Sequence, residues 1–161
     1  MKTLCIVQAR MSSTRLPGKV LKEINGKPML WYGLERLKKA NQIDKIVVAT
    51  SDHEDDDKLE KFCIENNLDY FRGDLNDVLK RFADCAKNYS EYETIVRVTG
   101  DCPLIDPDVV DELIKVYKKV IDPKIQNWVV FSNGTCVIIY HPPKDLEAEA
   151  KEILHKYGTV S

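Results

Sequence analysis

The chain lacks both glycine-rich signatures that mark the commonest phosphate-binding loops. Neither G-x-x-x-x-G-K-[ST] nor G-x-G-x-x-G occurs in its 161 residues, so a P-loop ATPase and a dinucleotide-dependent dehydrogenase both lose support. Long apolar runs are also missing, and the apolar stretch near the amino terminus is too short for a signal peptide or a membrane span. We therefore expect a cytoplasmic protein without membrane contact.

The chain has few cysteines and a small net charge. The five cysteines are odd in number, widely spread and form no C-x-x-C, which favours free thiols in a reducing cytosol over a disulfide framework or a zinc site. A net charge of −2 argues against a general nucleic-acid surface. With 43% hydrophobic and 31% charged residues, the composition is typical of one soluble globular domain over residues 1–161.

Apolar runs and amphipathic segments alternate four times along the first 120 residues. Short connections and the right-handed crossover rule predict an α/β fold with three α/β/α layers, in which helices cover both faces of a mostly parallel, Rossmann-like sheet. Such folds commonly bind nucleotides. The predicted strands cover residues 3–7, 45–50, 69–72 and 94–99, and the predicted helices cover 28–39, 55–66, 76–88 and 108–120.

Residues 8–19, QARMSSTRLPGK, concentrate basic and hydroxyl side chains directly after the first predicted strand. Pro17 and Gly18 prevent a helix there, so the segment forms a loop at the carboxyl end of the strand, where open α/β sheets bind ligands. Two of the six arginines of the chain lie in this loop, and a guanidinium can hold phosphate oxygens bidentately. The pattern predicts a site for a phosphorylated ligand, with a solvated charged loop as the alternative.

The segment GDCPL, residues 100–104, follows the fourth predicted strand, so Asp101 lies at the same edge of the sheet. Mg²⁺ prefers hard oxygen ligands and leaves most of its coordination to water and phosphate oxygens, which makes Asp101 a candidate metal ligand. A turn that needs these residues for geometry alone is the alternative. Asp106, directly before Pro107, is more typical of a helix cap.

Two further features are interpreted as structural. The run HEDDD, residues 53–57, resembles a metal cluster, but its acidic residues open a predicted helix and complement the helix dipole. Cys102 has no histidine near it in sequence, so we do not assign it as a nucleophile.

Three segments, QARMSSTRLPGK, GDCPL and RGDLNDVLKR, together resemble the CMP-sugar synthetases, the acylneuraminate and CMP-Kdo cytidylyltransferases. The resemblance covers residues 3–113 and is strongest to the branch named after spore coat polysaccharide biosynthesis protein F. It implies transfer of CMP from CTP to an acidic sugar, a nonulosonic or ulosonic acid, with Mg²⁺ and release of pyrophosphate, for surface polysaccharide or glycan biosynthesis. Arg10, Lys19 and Asp101 would be catalytic, with Asp101 as the metal ligand. By position, the residues implied around the triphosphate are Ala9, Arg10, Ser12, Ser13, Arg15 and Lys19.

The resemblance also places Arg72, Asp77 and Arg81 beside the cytosine and ribose. The residues themselves leave alternatives open, because Asp74 or Asn76 could simply cap a helix. Asp77 and Arg81 also have the four-residue spacing of an ordinary helical ion pair.

Residues 121–161 do not match the family, whose later half carries the sugar pocket and a dimerisation arm. Two apolar runs, 128–131 and 135–140, flank Asn133-Gly134 and predict a β-hairpin, and residues 144–157 predict a final helix. We expect the acceptor half to be short. Since a lone hairpin is marginally stable, it must pack on the nucleotide-binding core or on a second subunit, and we favour the second subunit in a homodimer.

Two other functions remain open from the sequence. One is a catalytically inactive nucleotide-binding relative that serves as a binding or regulatory subunit. The other is a nucleotidyltransferase that uses a different nucleoside triphosphate and a phosphorylated sugar or alcohol.

Overall fold

A computed structural model describes residues 1–120 and two further strands at 127–132 and 135–140, with side chains described through residue 119. Short one-turn 3₁₀ helices at Lys19–Leu21 and Glu54–Asp56 interrupt two of the loops. The regular elements in chain order are β1 (Thr3–Gln8), β2 (Glu23–Ile24), β3 (Lys27–Pro28), α1 (Met29–Leu37), β4 (Lys45–Ser51), α2 (Asp57–Glu65), β5 (Asp69–Gly73), α3 (Val78–Lys87), β6 (Thr94–Thr99), α4 (Pro107–Val120), β7 (Asn127–Ser132) and β8 (Thr135–Tyr140).

Six of the strands form one sheet in the order β5-β4-β1-β6-β8-β7. The first four of these are mutually parallel, as predicted, and β8 and β7 extend the sheet antiparallel. The four predicted parallel strands are thereby confirmed. Because the strands are parallel, the loops after β1, β4, β5 and β6 all leave the sheet at one edge.

Helices cover both faces of the sheet, which confirms the three-layer prediction. Cys5 and Val7 of β1 pack with α1, α2 and α4 on one face. Leu4 and Ile6 pack with α3 on the other face. All four β1 side chains are at most 2% exposed, so β1 is the central strand of a core with two sides.

The small β2–β3 hairpin turns at Asn25 and Gly26, whose φ angles of 49° and 80° lie in the left-handed region that such two-residue turns require. This confirms the predicted turn. Pro28 closes β3, so α1 begins at Met29, one residue later than predicted. None of the helices within the described residues is both long and apolar enough to cross a bilayer.

The two strands of the predicted carboxyl-terminal hairpin are present as β7 and β8, which pair antiparallel. β8 also pairs with β6 of the same chain, so the hairpin extends this chain's own sheet, contrary to our preference for packing on a second subunit. The Asn133-Gly134 turn and the predicted helix 144–157 lie outside the described residues. The homodimer stays a prediction.

Gly100 brings the ends of β1 and β6 together at the ligand edge. Its N–H donates to the Gln8 carbonyl at 2.7 Å. A Cβ atom on Gly100 would lie 2.8 Å from that carbonyl oxygen and 3.1 Å from the Ala9 Cβ. Only glycine therefore allows the close approach that places Asp101 beside the loop after β1.

Gly100→Ala should lower the free energy of unfolding by about 1–3 kcal/mol, because the backbone of Gln8 must move to admit the new methyl group. Urea denaturation measures the loss. Gly26→Asn serves as the control: an added Cβ there meets nothing within 4 Å, and asparagine tolerates positive φ. A Gly100→Ala chain as stable as the unmodified one would show that the β1 and β6 ends are not tightly apposed.

Candidate active site

The loop that follows β1 is closed on itself through Met11. The Met11 carbonyl accepts hydrogen bonds from the N–H groups of Ser13 at 2.9 Å and of Gly18 at 2.8 Å. Gly18 has φ +69°, which lets the chain reverse before Lys19. The predicted phosphate loop is thus a compact turn at the carboxyl edge of the sheet.

The side chains of this loop differ in exposure. Arg10, Ser12 and Arg15 are exposed, while Ser13 and Lys19 are partly buried. Arg10 and Arg15 form no ion pair with another described residue. Their guanidinium groups are therefore not neutralised within the described part of the chain and can meet an anion from solution.

Ala9 sits deeper than the rest of the loop. Its side chain is 1% exposed, and its N–H donates to the Ala49 carbonyl at 3.1 Å. The amide is therefore engaged in holding β1 to β4. Contact between Ala9 and a nucleotide stays a prediction, and it would not use this N–H group.

Lys19 and Asp101 join the two predicted site segments. The Lys19 Nζ donates to the Asp101 Oδ2 in an ion pair between residues 82 positions apart in sequence. Partial burial alone would raise the pKa of the Asp101 carboxyl, but the hydrogen bond and charge of Lys19, with a hydrogen bond from Thr99, outweigh it and lower that pKa below its ordinary value. Asp101 is therefore ionised at neutral pH.

The Asp101 segment is held from behind by α1. A Cβ atom added to Gly33 would lie only 3.1 Å from the Cys102 carbonyl oxygen. Helix α1 therefore approaches the segment closely at this glycine. Arg36 of α1 donates through Nε to the Ile105 carbonyl. Two contacts from one helix thus fix the backbone that follows the predicted metal ligand.

Asp106 caps α4, as predicted. Its Oδ1 accepts the N–H of Asp108 at 2.9 Å, in front of Pro107 at the first helical position. Cys102 is half-buried, and its Sγ lies 3.2 Å from the Thr99 Oγ1.

Arg72 is committed to contacts within the protein. Its Nε donates to the Ser51 carbonyl at 2.9 Å and its Nη2 to the His53 carbonyl at 2.8 Å, while Nη1 pairs with Glu60 and, at 2.8 Å, with Asp57. All three nitrogens therefore tie β5 to the connection between β4 and α2. The predicted contact of Arg72 with the nucleotide stays a prediction, and it would require these bonds to be shared or broken.

Asp77 and Arg81 form no side-chain ion pair in the described structure, although the Arg81 N–H donates to the Asp77 carbonyl at 3.0 Å. The Asp77 Oδ1 accepts the Lys80 N–H at 2.8 Å and caps α3. The Arg81 side chain is fully buried and donates through Nη1 to the Asp74 carbonyl at 2.6 Å. Its Nε and Nη2 are buried without a hydrogen-bond partner among the described residues.

Arg97 lies near the candidate site, and the sequence reasoning did not consider it. Burial lowers the pKa of Arg81, and the charges of Arg10 and Arg97 lower it further, so three guanidinium groups gather near one edge of the sheet. The Arg97 Nη2 donates to the Gln8 Oε1 at 3.1 Å, and its guanidinium lies 4.5 Å from the centre of the Phe82 ring. The sequence signal that could have identified it is that Arg97 is the one charged residue of strand β6, TIVRVT.

Asp56 is a second missed residue. It belongs to the HEDDD run that was interpreted as structural, and it is 1% exposed. Its Oδ1 accepts the N–H of Met11, in the predicted phosphate loop, at 2.7 Å. Nothing in the sequence distinguishes Asp56 from the acidic residues on either side of it.

The donor set at Asp101 fits a magnesium ion that arrives with phosphate. The described residues contain no group of three or more His, Cys, Asp or Glu side chains that could hold a metal by themselves. The ionised Asp101 carboxylate already holds one cation, the Lys19 ammonium. Mg²⁺ commonly binds to one such carboxylate and takes its other ligands from water and phosphate oxygens.

Comparison with known proteins identifies the family. A family model described as Cytidylyltransferase matches residues 4–141. Spore coat polysaccharide biosynthesis protein SpsF of Bacillus subtilis is 40% identical over 118 residues, which are 71% of this chain and 49% of that protein. A 3-deoxy-manno-octulosonate cytidylyltransferase of Fusobacterium nucleatum is 36% identical over 128 residues, covering 78% of this chain and 50% of that protein.

A solved structure agrees with these relatives. A cytidylyltransferase from Leptospira borgpetersenii superposes with a TM-score of 0.81 at 33% identity, over 99% of this chain and 66% of that one. The chain spans about half the length of the curated relatives it matches. The matched residues include both segments that the Lys19–Asp101 ion pair joins, and the chain belongs to the cytidylyltransferase family.

Proposed function

We propose that this chain binds CTP with Mg²⁺ and transfers CMP to an acidic sugar, releasing pyrophosphate. The observation that carries the proposal is the Lys19–Asp101 ion pair, which brings a basic loop and an ionised carboxylate together in a chain of the cytidylyltransferase family. The acidic sugar is supported by the relative from Fusobacterium nucleatum, which is named for 3-deoxy-manno-octulosonate.

The reaction is an in-line substitution at the α-phosphorus of CTP. An anomeric hydroxyl oxygen of the sugar forms the new P–O bond and gives up its proton to water, and the bond from the α-phosphorus to the bridging oxygen breaks, with pyrophosphate as the leaving group. Arg10, Arg15 and Lys19 neutralise the negative charge that grows on the pyrophosphate. Asp101 would hold Mg²⁺, which supplies further charge neutralisation at the phosphates when bound.

Lys19 has two possible anions in this scheme. In the free chain its ammonium pairs with Asp101, and both side chains are about a third exposed, so the pair is weakly stabilising and easily exchanged. A triphosphate gives Lys19 a more highly charged partner. When Lys19 moves to the triphosphate, the Asp101 carboxylate becomes free to bind a metal ion. Nucleotide and metal should therefore favour each other's binding.

Among the predicted cytosine and ribose contacts, Arg81 has the most structural support. Its buried Nε and Nη2 have no partner among the described residues, and a buried cation is costly until hydrogen bonds satisfy it. Arg72 and Asp77 are already hydrogen-bonded within the protein. We therefore propose Arg81 as the main contact and Arg72 and Asp77 as neighbours of the site.

A cytoplasmic location is also part of the proposal. Support comes from the four described cysteines, Cys5, Cys63, Cys85 and Cys102, which are all free thiols. Burial raises the pKa of the first three to about 12, so they stay protonated and unreactive.

CTP with Mg²⁺ should raise the melting temperature of the chain more than ATP, GTP or UTP does, because binding to the native state stabilises it by mass action. Pyrophosphate release, measured with each of the four nucleotides and a panel of acidic sugars, tests the transfer itself. Equal thermal shifts from all four nucleotides would leave only a general phosphate site. Binding of CTP without release in any mixture would favour a binding subunit over an enzyme.

Lys19→Ala should weaken CTP binding by ~1.5–3 kcal/mol, the size of a charge-assisted hydrogen bond to phosphate. Stability should change by less than about 1 kcal/mol, since the lost ion pair is partly exposed. Lys22→Ala, which removes the same charge from an exposed position three residues later, is the matched control in calorimetric titrations. Equal affinities for the two variants would contradict the assignment of Lys19 to the phosphates.

Asp101→Asn should have different effects on CTP binding with Mg²⁺ and on CTP binding without metal. Mg²⁺-dependent CTP binding should fall, while binding without metal should hold or rise because a negative charge near the phosphates has gone. Asp106→Asn removes a charge from the same segment yet keeps a good helix cap, so it should change neither. Mg²⁺-dependent binding by Asp101→Asn as tight as that of the Asp106→Asn control would make Asp101 a turn residue.

A further inference from the structure

Asp56 is a buried carboxylate that has no part in the chemistry proposed above. It lies in the turn before α2 and is 1% exposed. Its Oδ1 accepts the Met11 N–H at 2.7 Å, and its Oδ2 accepts the Ser51 N–H at 3.0 Å and the Ser51 hydroxyl. Burying a carboxylate costs free energy unless hydrogen-bond donors surround it. These three hydrogen bonds provide that compensation for Asp56.

The bond from Met11 is the one that reaches the phosphate loop. It links residues 45 positions apart in sequence, because Asp56 lies in the connection between β4 and α2 and Met11 lies in the loop after β1. The carbonyl of the same residue accepts the N–H groups of Ser13 and Gly18. Met11 is therefore the hub of the loop, and Asp56 is the anchor that attaches this hub to the core of the domain.

Anchoring the hub fixes the start of the basic loop. Arg10 directly precedes Met11 and Ser12 directly follows it, and both side chains are exposed. Ordering a long side chain at a binding site costs conformational entropy, and a backbone that is already ordered reduces the total cost of binding. A fixed Met11 peptide thus favours capture of a triphosphate by exposed side chains.

The sign of the Asp56 charge fits this interpretation. A carboxylate near a phosphate loop repels phosphate, so a direct role in binding the anion is excluded on electrostatic grounds. Its charge instead opposes the mutual repulsion of the guanidinium groups of Arg10, Arg81 and Arg97. Asp56 therefore stabilises both the backbone and the charge arrangement of the site while making no contact with the ligand.

We propose that Asp56 is a positioning residue that holds the phosphate loop, through the Met11 peptide, in the conformation that binds a nucleoside triphosphate. This inference rests on the proposed nucleotide-binding function of that loop. It assigns to one member of the acidic HEDDD run a role that its neighbours do not share.

Asp56→Asn is the direct test. An asparagine oxygen is expected to face the two donors of Ser51, which leaves its NH₂ group against the Met11 N–H and breaks the anchor. Affinity for CTP with Mg²⁺, and for inorganic triphosphate, should fall about tenfold or more. Ser51→Ala is the matched control: it removes a hydrogen bond from the same carboxylate but leaves the loop attached, so affinity should stay within about twofold.

A measurement without ligand separates positioning from general loss of stability. Amide hydrogen exchange at Ser13 and Gly18 should become faster in Asp56→Asn, while exchange in β1 stays as in the unmodified chain. If Asp56→Asn does not fold, replacing the Met11 N–H by an ester oxygen removes the donor alone and should give the same loss of affinity.

The outcomes distinguish this inference from the proposed function. If the unmodified chain binds neither CTP nor inorganic triphosphate, the proposed function fails and the positioning role fails with it. If the unmodified chain binds them and a folded Asp56→Asn or Met11 ester chain binds them equally well, only the positioning role is overturned. Loss of affinity in Ser51→Ala as large as in Asp56→Asn would also overturn it.

Discussion

Parallel pairing of β1 with both β4 and β6 is the constraint on which the rest of the structure depends. Parallel neighbours need crossover helices, so β1, β4 and β6 all deliver their carboxyl ends to the same edge. Segments that are far apart in sequence, after β1, β4 and β6, meet there without any local signal that they will. The Lys19–Asp101 pair and the Asp56–Met11 bond are both consequences of that pairing.

Arginine side chains from several elements influence one another at this edge. Burial lowers the pKa of Arg81, and the charges of Arg10 and Arg97 lower it further, while the chain as a whole has a net charge of −2. A local concentration of cations on an overall acidic protein attracts a small anion and not an extended polyanion.

The sequence predicts the strands and helices of the fold, whereas the contacts within the candidate site can be predicted from it only in part. Mainly apolar runs located β1, β4 and β6, because a strand covered on both faces has few polar positions, and β5 was predicted as a short strand although it carries Asp69 and Arg72 at the edge of the sheet. The cap at Asp106 was also predictable, since a cap is decided by residues next to it in sequence. The contacts of Arg72, Asp56 and Arg97 could not be predicted, because they join strands and loops that are distant in sequence and no local pattern records them.

The carboxyl-terminal hairpin shows a different kind of error. Its strands were predicted correctly, but its docking was argued from the habits of a family and not from the sheet itself. β6 would be an edge strand without β8, and an unpaired edge of backbone donors and acceptors is a strong template for the next strand. Pairing within the chain needs no second molecule and no association entropy, so the nearest hairpin takes the edge. In the strand order the hairpin lies beyond β6, so all the predicted site residues, between positions 9 and 101, belong to the part of the chain that precedes it.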